Sequence, residues 1–236
     1  MLIKMKNLNI FSLVAEYENA KSGGVLDVPN VSFIDEDSSV RCLLKNISTH
    51  NKYVDLGLPS GLKWATCNVG ASSPEQAGLY FAWGETTGYT AEQVTSGVRS
   101  FSKSVYNSGP AASISANLTL EQDAAHINLG GNWRMPTEAE FQELLDNCSV
   151  VWTDDYNGTG VKGRVFNSNV NGNSMFLPAA GVCNGSSVKG VGSNGIYWSA
   201  SWYSSSKART LFFHSGGQYT SDGGRIYGYP VRAVCE

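Results

Sequence analysis

Of the 236 residues only 16% are charged, against about 25% in typical domains, and glycine fills 26 positions where about 7% is usual. The net charge is -3 and no Lys/Arg cluster stands out, which excludes a nucleic-acid surface and a polybasic membrane patch. A chain of this length can bury a sizeable core without metals or disulfides, and the composition suits a turn-rich, largely β protein.

The opening "MLIKMKNLNIFSLVA" has a short apolar core broken by Asn9 and Ser12, with no cleavage site after it, so it reads as mature sequence without an evident signal peptide. Residues 1–50 carry β-like runs at 31–34 and 40–44, split by an acidic turn. They suit an attachment or oligomerisation segment, and equally an arm packed on the main domain at 51–236. Next, "YVDLGLPSGLKWATCNVGA" predicts two short strands around a Pro59-Ser60-Gly61 turn. "GLYFAWGETTGY" reads as a buried aromatic run ending in turns, and 87–116, rich in Ser, Thr and Gly without a period, as a long surface loop.

Two helices follow. Thr119 and Gln122 form a capping box before Leu120, Ala124 and Ile127, with Gly130 as the stop. Thr137 and Glu140 form a second box, after which Phe141, Leu144, Leu145 and Cys148 fall at i, i+3, i+4 and i+7. Each helix is expected to pack one face on a sheet. Beyond Val150, "GRVFN", "SMFLPAAG", "GIYWSAS", "RTLFFHS" and "YPVRAVC" are short apolar runs separated by Asn, Gly and Ser turns. The class is α+β: two helices packed on short, mainly antiparallel strands.

No catalytic or metal constellation is visible. Cys42, Cys67, Cys148, Cys183 and Cys235 are odd in number and widely spaced, which favours free thiols. His50, His126 and His214 lie far apart. The acidic turn "TDDYNGTGVKGRVF" lacks the Glu that a helix-loop-helix calcium site needs at its twelfth position, and an Asn157-Gly158 turn explains it more simply. No cofactor, metal or catalytic residue is therefore expected.

Between 195 and 229 about half of the positions are Tyr, Ser or Gly, the composition of loops that make contacts. The expected ligand-binding residues are Ile196, Tyr203, Ser204, Ser205, Ser206, Lys207, Arg209, Thr210, His214, Gln218, Tyr219, Thr220, Asp222, Arg225 and Tyr227. Trp198, Trp202, Pro230, Val231 and Val234 are expected to fix both ends of the segment in a core.

The ordered set "YVDLGLPSGLKWATCNVGA", "YFAWGET", "GGNWRMPT" with "EFQELL", "FLPAAG", "YWSAS" and "GYPVRAVC" resembles the Fibrobacter-type major paralogous domain, a bacterial family common in gut Bacteroidales and their phages. The resemblance covers about residues 53–236. It implies a C-type lectin-like fold, in the variant shared with formylglycine-generating enzymes. One subgroup of the family comprises the variable proteins of diversity-generating retroelements, in which error-prone copying at adenines rewrites the gene's 3′ end. The segment 195–229 lies where that variable region would lie. Mutated AAC codons cannot write Trp, Lys, Gln, Glu or Met, and between Ile196 and Tyr227 only Trp198, Trp202, Lys207 and Gln218 fall outside their range.

The resemblance thus implies a non-enzymatic receptor-binding protein, a phage tail component or a cell-surface protein, whose partner is a host-cell surface protein or glycan. Linked copies, as in a homotrimer, would raise avidity. A fixed-specificity adhesin has the same surface logic. A formylglycine-generating type of enzyme would call for a close cysteine pair, which the sequence lacks.

Overall fold

Residues 53–236, which the computed structural model describes, start with an antiparallel pair, β1 (Tyr53–Asp55) and β2 (Lys63–Asn68). The segment 1–50 and its runs at 31–34 and 40–44 lie outside the described residues. Between β1 and β2 the predicted turn is present: Gly61 sits at φ 72° and donates its N–H to Leu58 O at 2.8 Å. Ser60 N–H donates to Glu143 Oε1 at 2.8 Å, which ties the turn to a distant helix.

The expected surface loop at 87–116 is instead partly helical and partly core. It holds α1 (Ala91–Thr95), α2 (Lys103–Asn107) and a 3₁₀ turn at Pro110–Ser113. Val94, Phe101, Tyr106 and Ala111 are buried there beside Tyr80, Ala82 and Cys183. Each helix is five residues long, too short for a 3.6-residue stripe to repeat, so periodicity could not reveal it.

The first expected helix also differs. The Thr119 capping box closes only a 3₁₀ turn, Leu120–Gln122, and the helix proper, α3 (Ala124–Leu129), starts from Asp123. Asp123 Oδ1 accepts the N–H groups of Ala125 at 2.8 Å and His126 at 3.0 Å, while Oδ2 accepts Met135 N–H at 2.8 Å. Ala124 and Ala125 are buried, whereas Leu120 and Ile127 are exposed, because the break at Asp123 turns the two halves of the expected stripe apart. The second helix, α4 (Glu138–Asn147), matches its expectation. Thr137 N–H donates to Glu140 Oε2 at 2.7 Å, Arg134 grips both Glu140 oxygens at 2.7 and 2.8 Å, and Phe141, Leu144 and Cys148 are buried.

The rest is strand: β3 (Cys148–Thr153), β4 (Gly163–Ser168), β5 (Ser174–Pro178), the hairpin β6 (Val182–Asn184) and β7 (Ser187–Lys189), β8 (Asn194–Trp202), β9 (Lys207–His214), β10 (Gly217–Gly224) and β11 (Arg232–Cys235). Among the described residues every strand pair is antiparallel, and the strands form three sheets of order β1-β2-β11, β3-β4-β5 and β8-β9-β10 beside the β6-β7 hairpin. The protein is mixed α+β, mostly antiparallel strands with few helices. Phe141 and Leu144 of α4 share one apolar cluster with Tyr197, Leu211 and Phe213 of β8 and β9, and with Trp64 and Val234. Burying each such side chain contributes about 1.5–3 kcal/mol. No helix among the described residues is long and apolar enough to cross a membrane.

Close packing sets one residue type at Gly195 of β8. A Cβ there would lie 1.9 Å from the Phe213 ring, whereas at Gly217 it would meet nothing within 4 Å. Gly195→Ala is expected to lower stability by about 1–3 kcal/mol in urea unfolding, as overpacked cores do, and Gly217→Ala to leave it nearly unchanged.

Candidate functional site

The segment 195–229 is built on the β8-β9-β10 sheet, and its register sorts the expected contact residues. Ser215 and Gly216 make the two-residue turn that pairs His214 with Gly217, so Phe212 faces Tyr219 and Arg209 faces Asp222. On the other side Ile196 pairs with Phe212 and Tyr197 with Leu211. Successive side chains point to opposite faces of a sheet. Lys207, Arg209, Gln218, Thr220 and Asp222 therefore share the face that Leu211 and Phe213 turn toward α4. Ile196, Thr210, His214 and Tyr219 share the opposite face.

Ion pairs hold the rim of the α4 face. Arg209 Nε lies 3.2 Å from Glu138 Oε2, and its guanidinium sits 4.1 Å from the centre of the Tyr203 ring. Lys207 Nζ lies 2.6 Å from Asp222 Oδ2, and the bond to Asp222 raises the lysine's pKa. Thr220 Oγ1 meets Gln142 Oε1 of α4 at 3.5 Å. Across the other face runs a row of Ile196, Phe212 and Tyr219, with ring centres of Phe212 and Tyr219 5.3 Å apart and His214 5.7 Å from Phe212. Tyr203 and Tyr219 are 43% and 50% exposed, and Ser205, Ser206 and Lys207 are exposed beside Tyr203. Ser204 is half-buried; Ile196 and Tyr227, also half-buried, pack against the core.

Two expected contact residues are corrected by their burial. Thr210 is 1% exposed and Arg225 is fully buried, so neither presents a side chain to a partner. Arg225 is instead a clamp. Its Nε donates to Tyr106 Oη at 3.0 Å, Nη1 to the carbonyls of Ile114 at 2.9 Å and Ser205 at 3.2 Å, and Nη2 to that of Ala111. The guanidinium also lies 4.6 Å from the Trp83 ring centre. Burial raises the Tyr106 pKa, and the Arg225 charge beside it pulls the other way. One arginine thus fixes the 204–206 loop to the 106–114 segment.

The sequence reading missed Phe212, Glu138 and Gln142, which lie among the expected residues. The Ser215-Gly216 turn between "RTLFFH" and "GQYT" was the available signal: taken as a two-residue hairpin, it gives the 212–219 pairing at once. The expected fixing points are buried: Trp198 Nε1 donates to Phe81 O at 2.7 Å, Pro230, Val231 and Val234 are enclosed, and Trp202 is half-buried against the same core.

Cys148, Cys183, Cys235, His126 and His214 are each buried or hydrogen-bonded. Burial pushes the Cys148 thiol up to about 11 and the Cys183 thiol up to about 12, and burial also raises Cys235, so these thiols stay protonated at neutral pH. His126 Nδ1 lies 3.1 Å from Trp133 O, and His214 Nδ1 accepts Gly216 N–H at 3.0 Å. Asn157 and Gly158 take φ 52° and 76°, and Asp155 Oδ1 accepts Gly160 N–H at 2.6 Å, the tight turn read from the sequence. Among the described residues no three His, Cys, Asp or Glu side chains gather as metal ligands would.

Replacing Arg225 by alanine orphans several buried acceptors at about 1–3 kcal/mol each, so R225A is expected to destabilise the domain by several kcal/mol in denaturant titration. Ser205→Ala, which keeps the carbonyl, is expected to stay within about 0.5 kcal/mol. In comparisons with known proteins the chain matches no family model, no curated protein and no solved structure.

Proposed function

We propose that this chain is a non-enzymatic ligand-binding protein with a C-type lectin-like fold, a diversified receptor-binding protein of a phage tail whose 195–229 segment recognises a host-cell surface protein or glycan. The sequence resemblance to the Fibrobacter-type major paralogous domain motivates the reading. One structural observation carries it: Tyr203, Ser205 and Ser206 in the loop between β8 and β9, Lys207 at the start of β9 and Tyr219 on β10 are exposed, while Ala208, Thr210, Leu211 and Phe213 of β9 are buried.

A surface of that kind tolerates change. Substituting an exposed side chain away from caps and buried networks costs within about 0.5 kcal/mol, so the outward positions can vary while the inward ones keep the sheet in place. Tyrosines give rigid, amphipathic contact area at low entropic cost, and serines give adaptable hydrogen bonds. Arg225 and Gly195 belong to the fixed set, although both fall within the segment.

The test is deep sequencing of the gene's 3′ end in a population carrying it, with the neighbouring DNA. Substitutions are expected at the codons of Tyr203, Ser205, Ser206 and Tyr219, matching adenines in a nearby imperfect repeat beside a reverse-transcriptase gene. Codons 195, 210 and 225 are expected to stay constant. A uniform 3′ end without such a repeat would retire the diversified reading and leave an adhesin of fixed specificity.

A further inference from the structure

A second feature lies outside 195–229 and does not depend on the display reading. A cleft of ≈370 Å³ opens between the turn after Trp83, the start of the 3₁₀ turn at Pro110 and the turn at Leu120–Gln122, within the size range of small-molecule sites, about 300–1,000 Å³. Its wall carries an ion pair, Glu85 with Arg99, whose side chains are 19% and 13% exposed.

This pair is under-used. Arg99 Nη2 donates to Glu85 Oε2, but among the described residues Arg99 Nη1 and Glu85 Oε1 meet no hydrogen-bond partner, and Arg99 Nε is buried without one. Arg225, which is fully buried, spends its donors on four backbone carbonyls and a phenol. Neither Arg99 Nη1 nor Glu85 Oε1 is among the buried unpartnered atoms, so both stay open on the wall of the cleft to an occupant that can hydrogen-bond them. The neighbouring polar groups are open as well: among the described residues Gln122 spends Oε1 on Thr119 N–H while its Nε2 meets no partner, and the exposed Thr87 side chain makes no hydrogen bond.

The wall is also preset. Tyr80 and Tyr89 exchange backbone hydrogen bonds at 2.9 and 3.0 Å, Asn128 Nδ2 holds Thr86 O at 2.9 Å, and Arg99 lies over the Tyr89 and Phe101 rings at 5.3 and 5.1 Å. The charges select the ligand. Glu85 already neutralises Arg99, and Glu121 adds a second carboxylate at the rim, so the cleft repels anions. A free N–H beside a free carboxylate oxygen suits adjacent hydroxyls, each donating one hydrogen bond and accepting another. We propose that the Glu85–Arg99 cleft binds a neutral, hydroxyl-rich ligand of the size of one sugar ring.

The experiment is ligand-observed NMR on the full chain, titrating glucose, galactose, mannose and N-acetylglucosamine separately, with N-acetylneuraminic acid as the anionic comparison. Two variants accompany it, each checked by thermal melting. Glu85→Gln removes the ionised acceptor, and Thr87→Trp fills the exposed mouth without disturbing the ion pair. At least one neutral sugar is expected to bind saturably, and both variants to weaken it about tenfold or more with the domain still folded. If Glu85→Gln fails to fold, Thr87→Trp decides alone. Absence of saturable binding, tighter binding of the anionic sugar, or binding that survives either folded variant would overturn the proposal. None of these outcomes bears on variation at 195–229.

Discussion

The closing strand β11 is the element on which the rest of the architecture leans. All four of its residues are buried, with β2 on one side and the Arg134 backbone on the other, where Arg134 and Val234 exchange hydrogen bonds at 2.9 and 3.0 Å. Arg232 of this strand is fully enclosed. Its Nε donates to Asn68 Oδ1 at 2.9 Å and its Nη1 to the carbonyls of Ala65 and Thr66 at 2.9 and 2.8 Å. Burial pulls the Arg232 pKa below its usual range, so those acceptors are what keeps a charge tolerable in the core. Just before it, Tyr229 exchanges backbone hydrogen bonds with Phe81, both at 3.0 Å. The end of the chain therefore holds together strands that lie more than 160 residues apart in sequence.

That arrangement frees the segment above it. The β8-β9-β10 sheet rests on α4 through Tyr197, Leu211 and Phe213, and its outer loop is held from behind by Arg225 as well as by its own Ser204, whose Oγ accepts Lys207 N–H at 3.1 Å. Exposed side chains lie in the 203–207 loop, the 215–216 turn and at Tyr219 of β10, whereas the positions from Ala208 to His214 are buried or half-buried. A change at Tyr219 touches Phe212 on one face, while a change at Thr220 reaches α4 on the other. Any binding surface here has to draw on one face and the 203–207 loop, because a strand cannot turn both of its faces toward the same partner.

Three arginines show how context assigns one side chain three uses. Arg232 and Arg225 are fully buried and tied to backbone carbonyls of distant segments, which makes them structural even though Arg232 Nη2 meets no partner among the described residues. Arg99 has one carboxylate partner and unspent donors on a cleft wall. Sequence position gives no hint of the difference between Arg99 and Arg225, since both stand in polar or mixed stretches.

Much of the fold was legible locally. The Thr137 capping box and the Phe141, Leu144, Cys148 stripe gave α4, and short apolar runs gave β4, β5, β8, β9 and β11, because their information lies within a few residues. The 87–116 segment was misread as surface since five-residue helices show no period, and Asp123 displaced the expected start of α3 by capping it from inside the predicted helix. In the candidate surface, composition marked 195–229 as one polar, aromatic segment. It could not say that Thr210 and Arg225 point inward, or that Phe212 joins Ile196 and Tyr219, because those facts depend on strand register and on contacts to residues 83–114. The sequence by itself determined the class, α4 and most of the strands, through short-range patterns of hydrophobicity and capping. Only the tertiary structure decided which face each side chain joins and which arginines lie in the core or on a cleft wall, because burial and hydrogen bonding depend on distant segments being brought together.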